Sequence, residues 1–399
     1  MSKALFKKNY FTPKFLLFFV SLLLIFSVHS QKRNAGFIKG SYKKKGYDWW
    51  WHSFVAKDKL TGELQPFFIE YYFINPKLAK DSVVLGQSEY NKKNKNRPAY
   101  AMLKCGTWTK NGAVQIHNFY PMSNSSFDKK ELDVKIGSAL LTETKLSGSV
   151  SVSQEEAKAK PEMMCDAGEM SWDLTVDKKL SYNVGYGAGG FFRSLKAFRM
   201  YWHVQGMLSE FKGTIEYNDR IYEVEPETSF GYQDKNWGVD YTNPWVWLNC
   251  NNLKNKNGER LTATSLDVGG GRPVVFGIPF NKKILVAFYY KGKLYEYNFS
   301  KFWKKSKTDL NCYSDDKFVY WKIVATNKKS KLEIDFKCPK DKMLKVKYEN
   351  PKGEFNHTNL WNGGHAEGTI KFYLKEKKNW KLMDELTGSY GGCEFGEYK

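Results

Sequence analysis

Short aromatic and β-branched runs, broken about every eight to twelve residues by turn formers, leave this chain little to fold into except β-sheet. The clearest are Gln65–Asn75 (QPFFIEYYFIN), Ile284–Tyr290, Phe318–Thr326 and Leu332–Lys337. Their side chains suit a pleated, half-buried surface. FVYWKIVAT and KLEIDFK flank the polar segment Asn327–Ser330, and ILVAFYY and LYEYNF flank Gly292, so each pair predicts a hairpin. Helical periodicity is best over Phe192–Leu208, where a helix is expected. An all-β chain of 399 residues has room for two or three sandwich or barrel domains.

Composition removes several alternatives. A mean hydropathy of −0.57 excludes a polytopic helical membrane protein, which needs repeated apolar spans of about twenty residues. Aromatic residues at 17% exclude wholesale disorder. The six cysteines are widely spaced, with no CxxC or Cys/His pattern for zinc, and are too sparse for a disulfide scaffold. Cys312 and Cys338 bracket a hairpin and could pair in an oxidising compartment. No G-x-S-x-G elbow occurs. Tyr186–Gly190 is glycine-rich but lacks the Lys-Ser/Thr of a phosphate loop, and Asp267–Gly271 reads as a sharp turn.

Residues 1–30 read as a secretory signal peptide. Lys3, Lys7, Lys8 and Lys14 precede an apolar run from Phe15 to Val28, with small or apolar residues at Val28-His29-Ser30. The alternative is an uncleaved anchor, for which the run is short. Removing it takes four lysines and no acid, so the +21 chain becomes +17. The remaining lysines are dispersed: a solvated surface, or an attraction to anionic headgroups or cell-surface polymers. No nucleic-acid module accompanies them, and no nucleic-acid partner is expected.

A faint repeat divides the rest. Trp49-x-Trp51 and Trp245-x-Trp247 each open an aromatic strand, and Gly62 and Gly258 close polar turns at the same offset. Two tandem β domains are expected, at 31–225 and 226–399. In the first strand Trp49, Trp51 and Ser53 share one face, and Trp50, His52 and Phe54 the other. Either face could form a packed core or line a pocket for a flat apolar ligand.

The densest motif is Phe230–Leu253, FGYQDKNWGVDYTNPWVWLNCNNL. Its K-N-W-G segment, followed by Pro244-Trp245-Val246-Trp247 and an Asn-rich turn, resembles the tocopherol cyclase family. Its Tyr232-x-Asp234-x-Asn236-x-Gly238 spacing is similar to a pattern of the carotenoid hydratases. The aromatic opening Asp48–Phe54 and the ending Gly363–Gly396, with Glu394 among glycines, are weaker echoes. The resemblance implies two tandem lipocalin-like (calycin-type) β-barrel or sandwich domains. It also implies cofactor-free and metal-free chemistry on an isoprenoid-like substrate: a proton is delivered to a trisubstituted alkene, and a phenol oxygen or water traps the cation. Such a site needs a protonated carboxylic acid, aromatic faces and few stray nucleophiles.

If residues 232–238 are extended, Tyr232, Asp234 and Asn236 project to one face, and Lys235 and Trp237 to the other. By resemblance Asp234 is the acid, Tyr232 its helper, and His203 with Trp202 the assisting pair. Trp245, Trp247, Trp237, Asn236, Trp49 and Trp51 supply the lining. A structural role for the Asp-x-Asn network, closing one end of a barrel, is the competing account. His52, His117 and His365 read as structural histidines, and Glu70, amid FFIEYYF, requires a cationic partner or is a second pocket acid. Two non-catalytic functions stand beside the cyclase or hydratase: a carrier of a hydrophobic ligand, and a basic surface-binding protein.

Overall fold

The computed structural model describes residues 33–184, 195, 197–299, 301 and 305–398. The expected signal peptide and the glycine-rich segment Tyr186–Gly190 lie outside the described residues. Among those described, the chain is nearly all β, in two large antiparallel sheets of twelve and eleven strands. The aromatic runs become strands: Leu64–Ile74, Lys283–Tyr290, Phe318–Thr326 and Ser330–Pro339. Within the expected helix Phe192–Leu208, the described stretch from Met200 onward is instead strand. Val204, Met207 and Leu208 are buried there with both strand faces covered, which makes an apolar run that periodicity alone does not separate from a helix.

Eight strands position the site. In the first sheet they are β1 (Tyr47–Asp58), β2 (Leu64–Ile74), β3 (Met200–Tyr217) and β4 (Gly231–Gly238). In the second they are β5 (Trp245–Cys250), β6 (Ser265–Gly271), β7 (His357–Glu376) and β8 (Asn379–Tyr398). β4 lies between β1 and β3, so the first sheet extends to Gly238, past the expected division at 225/226. Cys312 and Cys338 lie on strands separated by Phe318–Thr326. Two strand spacings of ~4.8 Å exceed the ~7 Å between Cα atoms that a disulfide tolerates, so the pairing considered for them does not form.

Three apolar clusters explain the sequence pattern. One, including Trp50, Phe54, Phe67, Tyr71, Trp172 and Phe211, fills the interior of the first sheet. A second, including Leu248, Val268, Trp321, Phe336 and Ile370, fills the second. The third lies between the sheets and is rich in aromatic residues, among them Tyr47, Trp49, Trp51, Tyr72, Tyr232, Trp245 and Trp247. β1 is therefore buried on both faces over most of its length, which is why its sequence, YDWWWHSF, does not alternate with polar residues. The repeated tryptophans meet across this middle layer, Trp49 against Trp245 at 5.5 Å and Trp51 against Trp247 at 6.3 Å between ring centroids. Gly62 (φ +75°) and Gly258 (φ +80°) hold the equivalent left-handed turns.

Inside the first sheet, Lys235 of β4 forms an ion pair with Asp48 of β1, both side chains fully buried. Asp48 also accepts the Phe37 N–H at 2.6 Å, and the Lys235 ammonium sits 3.7 Å from the Trp50 ring centroid. Burial lowers the Lys235 ammonium to about 8, against the opposing pull of Asp48. Breaking the pair from one side strands a buried charge. Lys235→Met is expected to lower unfolding free energy by about 3–5 kcal/mol, and adding Asp48→Leu to recover most of it. Urea denaturation midpoints of the two variants check this, and equal losses in both would contradict it.

Candidate functional site

β4 sorts its side chains by alternation. Lys235 and Trp237 enter the first sheet's interior, while Tyr232, Asp234 and Asn236 face the second sheet. Opposite them the second sheet presents Trp245 and Trp247 of β5, Gly269–Gly271 of β6 and Glu394 of β8. Between the sheets lies a cleft of about 1030 Å³, the open space at its mouth included. Its walls are Trp49, Trp51, Trp202, Tyr241, Trp245, Trp247 and Tyr348; Asp234, Asn236 and Glu394 are its buried polar groups, and Arg199, Thr242, Arg272 and Lys283 also line it. The ring centroids of Trp49, Trp245 and Tyr348 are 5.2–5.7 Å apart, an aromatic wall in tilted contact.

Asp234 is the chemical centre of this wall. Its Oδ2 accepts the Trp202 indole N–H at 2.7 Å and the Tyr232 hydroxyl at 3.3 Å. Its Oδ1 has no hydrogen-bond partner and is shielded from water. Burial pushes the carboxyl up to about 7, and the charge of Glu394 adds to that rise against the two hydrogen bonds. Tyr232 also reaches Asp267 of β6 at 3.5 Å. Burial and the neighbouring Asp234 hold Asp267 well above the usual carboxylate range. Gly269 makes this arrangement possible: a Cβ there would lie 2.5 Å from the Trp202 indole, so only glycine admits the ring that donates to Asp234.

Glu394 is the counterpart of Asp234. Trp51 stands opposite Asp234 in the β1–β4 ladder, and Trp247 stands opposite Glu394 in the β5–β8 ladder. Burial raises Glu394 too, but it accepts from Trp245 Nε1 at 2.5 Å, Tyr348 OH at 2.7 Å and Asn362 Nδ2 at 2.7 Å. Glu394 is thereby tied on both oxygens, whereas Asp234 has one oxygen to spare.

The structure thus brings together Asp234, Tyr232, Asn236, Trp202, Trp49, Trp51, Trp245 and Trp247. It leaves out Trp237 and His203. Trp237 stacks between Tyr201 (5.3 Å) and Phe37 (4.4 Å) in the first interior. It is two residues from Lys235 and shares its face, so alternation alone excludes it from the lining. His203, opposite Lys235 in the ladder, turns the same way, and its Nε2 lies 3.1 Å from Asn34 Oδ1. His52 and His117 are lowered to about 3 by burial, and His365 Nε2 sits 2.8 Å from the Trp108 carbonyl. The partner that Glu70 requires is Lys104, at 3.5 Å, beside a second, smaller cavity.

Asp267 was hidden because its glycine-rich segment, expected as a turn, is strand β6. Tyr348 and Asn362 have no local motif; Asn362 stands opposite Glu394 in the β7–β8 ladder, and Tyr348 reaches it from the segment before β7.

The sign of the Asp234 shift fixes a pH dependence. An unfolded Asp titrates near 3.9, whereas this one holds its proton until about pH 7. The folded state therefore binds the extra proton between those values, and its stability falls as pH rises through that window. At most about 1.4 kcal/mol is lost per pH unit for the one proton. Asp234→Asn is expected to remove one proton's worth of this slope, measured by denaturation at successive pH values. In the wild-type-minus-variant difference spectrum one protonated-carboxyl C=O stretch should vanish around pH 7, the contribution of Glu349, raised to about 7 as well, being common to both and cancelling. A band that already vanishes near pH 4 would contradict the assignment.

The tocopherol cyclase-like family matches over residues 80–397. A rice protein (Oryza sativa subsp. japonica), "Probable tocopherol cyclase, chloroplastic", is 30% identical over 149 residues, which is 37% of this chain and 28% of the rice protein. The maize (Zea mays) "Tocopherol cyclase, chloroplastic" is 28% identical over 127 residues, 32% of this chain and 24% of the maize protein. The chain thus spans about a quarter of the length of the curated relatives it matches. An AttH protein structure from Nitrosomonas europaea covers 90% of this chain and 94% of its own, at 9% identity and a TM-score of 0.45. With the family matched over most of its length, the chain belongs to the tocopherol cyclase-like family.

Proposed function

We propose that the protein catalyses acid-initiated ring closure of a prenylated hydroquinone in the cleft between its sheets. One observation carries the reading: a carboxyl buried to a pKa of about 7, with one oxygen unpartnered, set in a wall of indole and phenol rings. A carboxylic acid that is half protonated at neutral pH can both give and retake a proton. The family, with its curated members named tocopherol cyclases, supports the same chemistry.

In the proposed reaction the alkene π pair takes the Asp234 proton and forms a new C–H bond at the less substituted carbon. The tertiary carbocation left beside it faces Trp49, Trp51, Trp245 and Trp247, whose ring faces stabilise positive charge. A phenol oxygen of the same substrate then forms the C–O bond, and its proton returns to the Asp234 carboxylate. The product is an isomer of the substrate and the acid is regenerated. Trp202 and Tyr232 orient the carboxyl through Oδ2, and the proton transferred is the one this carboxyl carries near neutral pH. The aromatic walls also limit the water that would trap the cation as an alcohol.

Asp234→Asn keeps the size and the hydrogen-bond acceptor but not the acid. It is expected to lower kcat on a prenylated hydroquinone by ~10²–10⁴-fold, while the dissociation constant for the substrate moves little. Single-turnover assays beside equilibrium binding test this. Binding without turnover in the wild type would leave a carrier of a hydrophobic ligand, and turnover that survives in the variant would remove Asp234 from the chemistry.

A further inference from the structure

Beside the cleft lies a feature that ring closure does not use. β6 ends at Gly271, and the next residues, Arg272, Pro273 and Val274, continue the cleft wall. They lead into a small hairpin, Val274–Val275 paired with Ile278–Pro279, that joins neither large sheet. Phe276 (φ +48°) and Gly277 (φ +85°) make its turn. It is held by the bridge from Val275 to Phe198 and by the Phe276 N–H bond to the Ala197 carbonyl at 2.8 Å. Three large apolar side chains within five residues stand in solvent: Phe276 and Ile278 at 64% exposure and Phe280 at 52%. Isolated exposed apolar residues are ordinary, but a cluster of this kind on a segment outside the core marks a contact surface.

The surrounding charge indicates the partner. Arg272 precedes the hairpin, and Lys282 and the exposed Lys283 follow it, on a chain with a formal charge of +21. Of these, Lys282 is paired with Glu397 at 3.1 Å. Apolar tips rimmed by cations fit an anionic lipid surface, where the rings lie ~5–10 Å into the headgroup–acyl boundary and each nearby Lys or Arg adds attraction. We propose that the 274–280 hairpin docks this protein on an anionic bilayer. The cleft wall runs directly into the hairpin, so docking would place the cleft mouth at the membrane surface. Docking stands on the hairpin itself; delivery of a membrane-dissolved substrate into the cleft rests on the function proposed above.

The test uses the full-length protein with photoreactive p-benzoylphenylalanine at position 280, or at the control position Leu60, which is 88% exposed on the turn after β1. Each is irradiated with vesicles of phosphatidylcholine alone, or of phosphatidylcholine and phosphatidylserine in equal parts, and lipid adducts are mapped by mass spectrometry. Adducts are expected at 280 on the mixed vesicles, several-fold fewer on the neutral ones, and none at 60. Combining Phe276→Ser with Lys283→Glu should lower the yield at 280 by ~tenfold or more. Because the label reports on its own site, vesicle binding through the apolar N-terminal run would not imitate this result. Yields at 280 no higher than at 60, or adducts joining 280 to a second copy of the chain, would overturn the proposal. Loss of the cyclisation reading with adducts intact would leave docking standing.

Discussion

The seat of β4 between β1 and β3 decides what every other part of the site can be, and the buried Lys235–Asp48 pair fixes that seat. In a strand with both faces covered, a one-residue slip exchanges the two sets of side chains. Such a slip would bring an ammonium into the aromatic cleft and bury Asp234 in the first interior, away from Trp202 and Tyr232. Apolar burial alone resists this weakly here, because both faces of β4 contact aromatic surroundings. The ion pair resists it strongly, since a charge without its partner in that interior is costly. An interaction inside the first sheet thus determines which carboxylate faces the cleft.

That placement has a cost, and the function proposed here depends on it. Holding Asp234 near neutrality rather than in the usual carboxylate range amounts to roughly 4 kcal/mol at one side chain. Asp267 and Glu394 are raised by the same burial, so the middle layer holds several acids that would be better solvated elsewhere. The layer persists because aromatic residues from both sheets bury a large area around them. Apolar packing and the raised pKa are therefore one property of the interface. Substitutions that admit water to the cleft should lower that pKa as they loosen the packing, leaving less of the carboxyl protonated at neutral pH.

Much of this was legible in the sequence, for identifiable reasons. Strands such as Phe318–Thr326 follow from composition and turns, since each alternates over one interior. The outward direction of Tyr232, Asp234 and Asn236 follows from the period of two, and that rule also excludes Trp237 from the lining. What stayed hidden depends on pairing at long range. β4 closes the sheet formed by the residues before it, which motif spacing does not reveal. His203 sits beside Trp202 in the chain but on the opposite face, so adjacency misleads where alternation informs. Asp267 resembled a turn because three consecutive glycines usually mark one, yet in β6 Gly269 gives room to the Trp202 ring.

The faint repeat acquires a meaning once the two ladders are compared. Each half places a carboxylate opposite its second tryptophan, Asp234 across from Trp51 and Glu394 across from Trp247. Equivalent positions do not have equivalent chemistry. Three donors satisfy Glu394, one of them the indole of Trp245, and every hydrogen bond to a carboxylate favours its charged form. Asp234 receives two donors on one oxygen and none on the other. Duplication would supply two buried acids facing one cleft, and unequal donor sets then separate their tasks. The fully bonded acid fixes the aromatic wall by holding Trp245 and Tyr348, and in the function proposed above the half-bonded acid moves the proton. The charge of Glu394 also raises the Asp234 pKa, so the fully bonded carboxylate helps to keep the half-bonded one protonated.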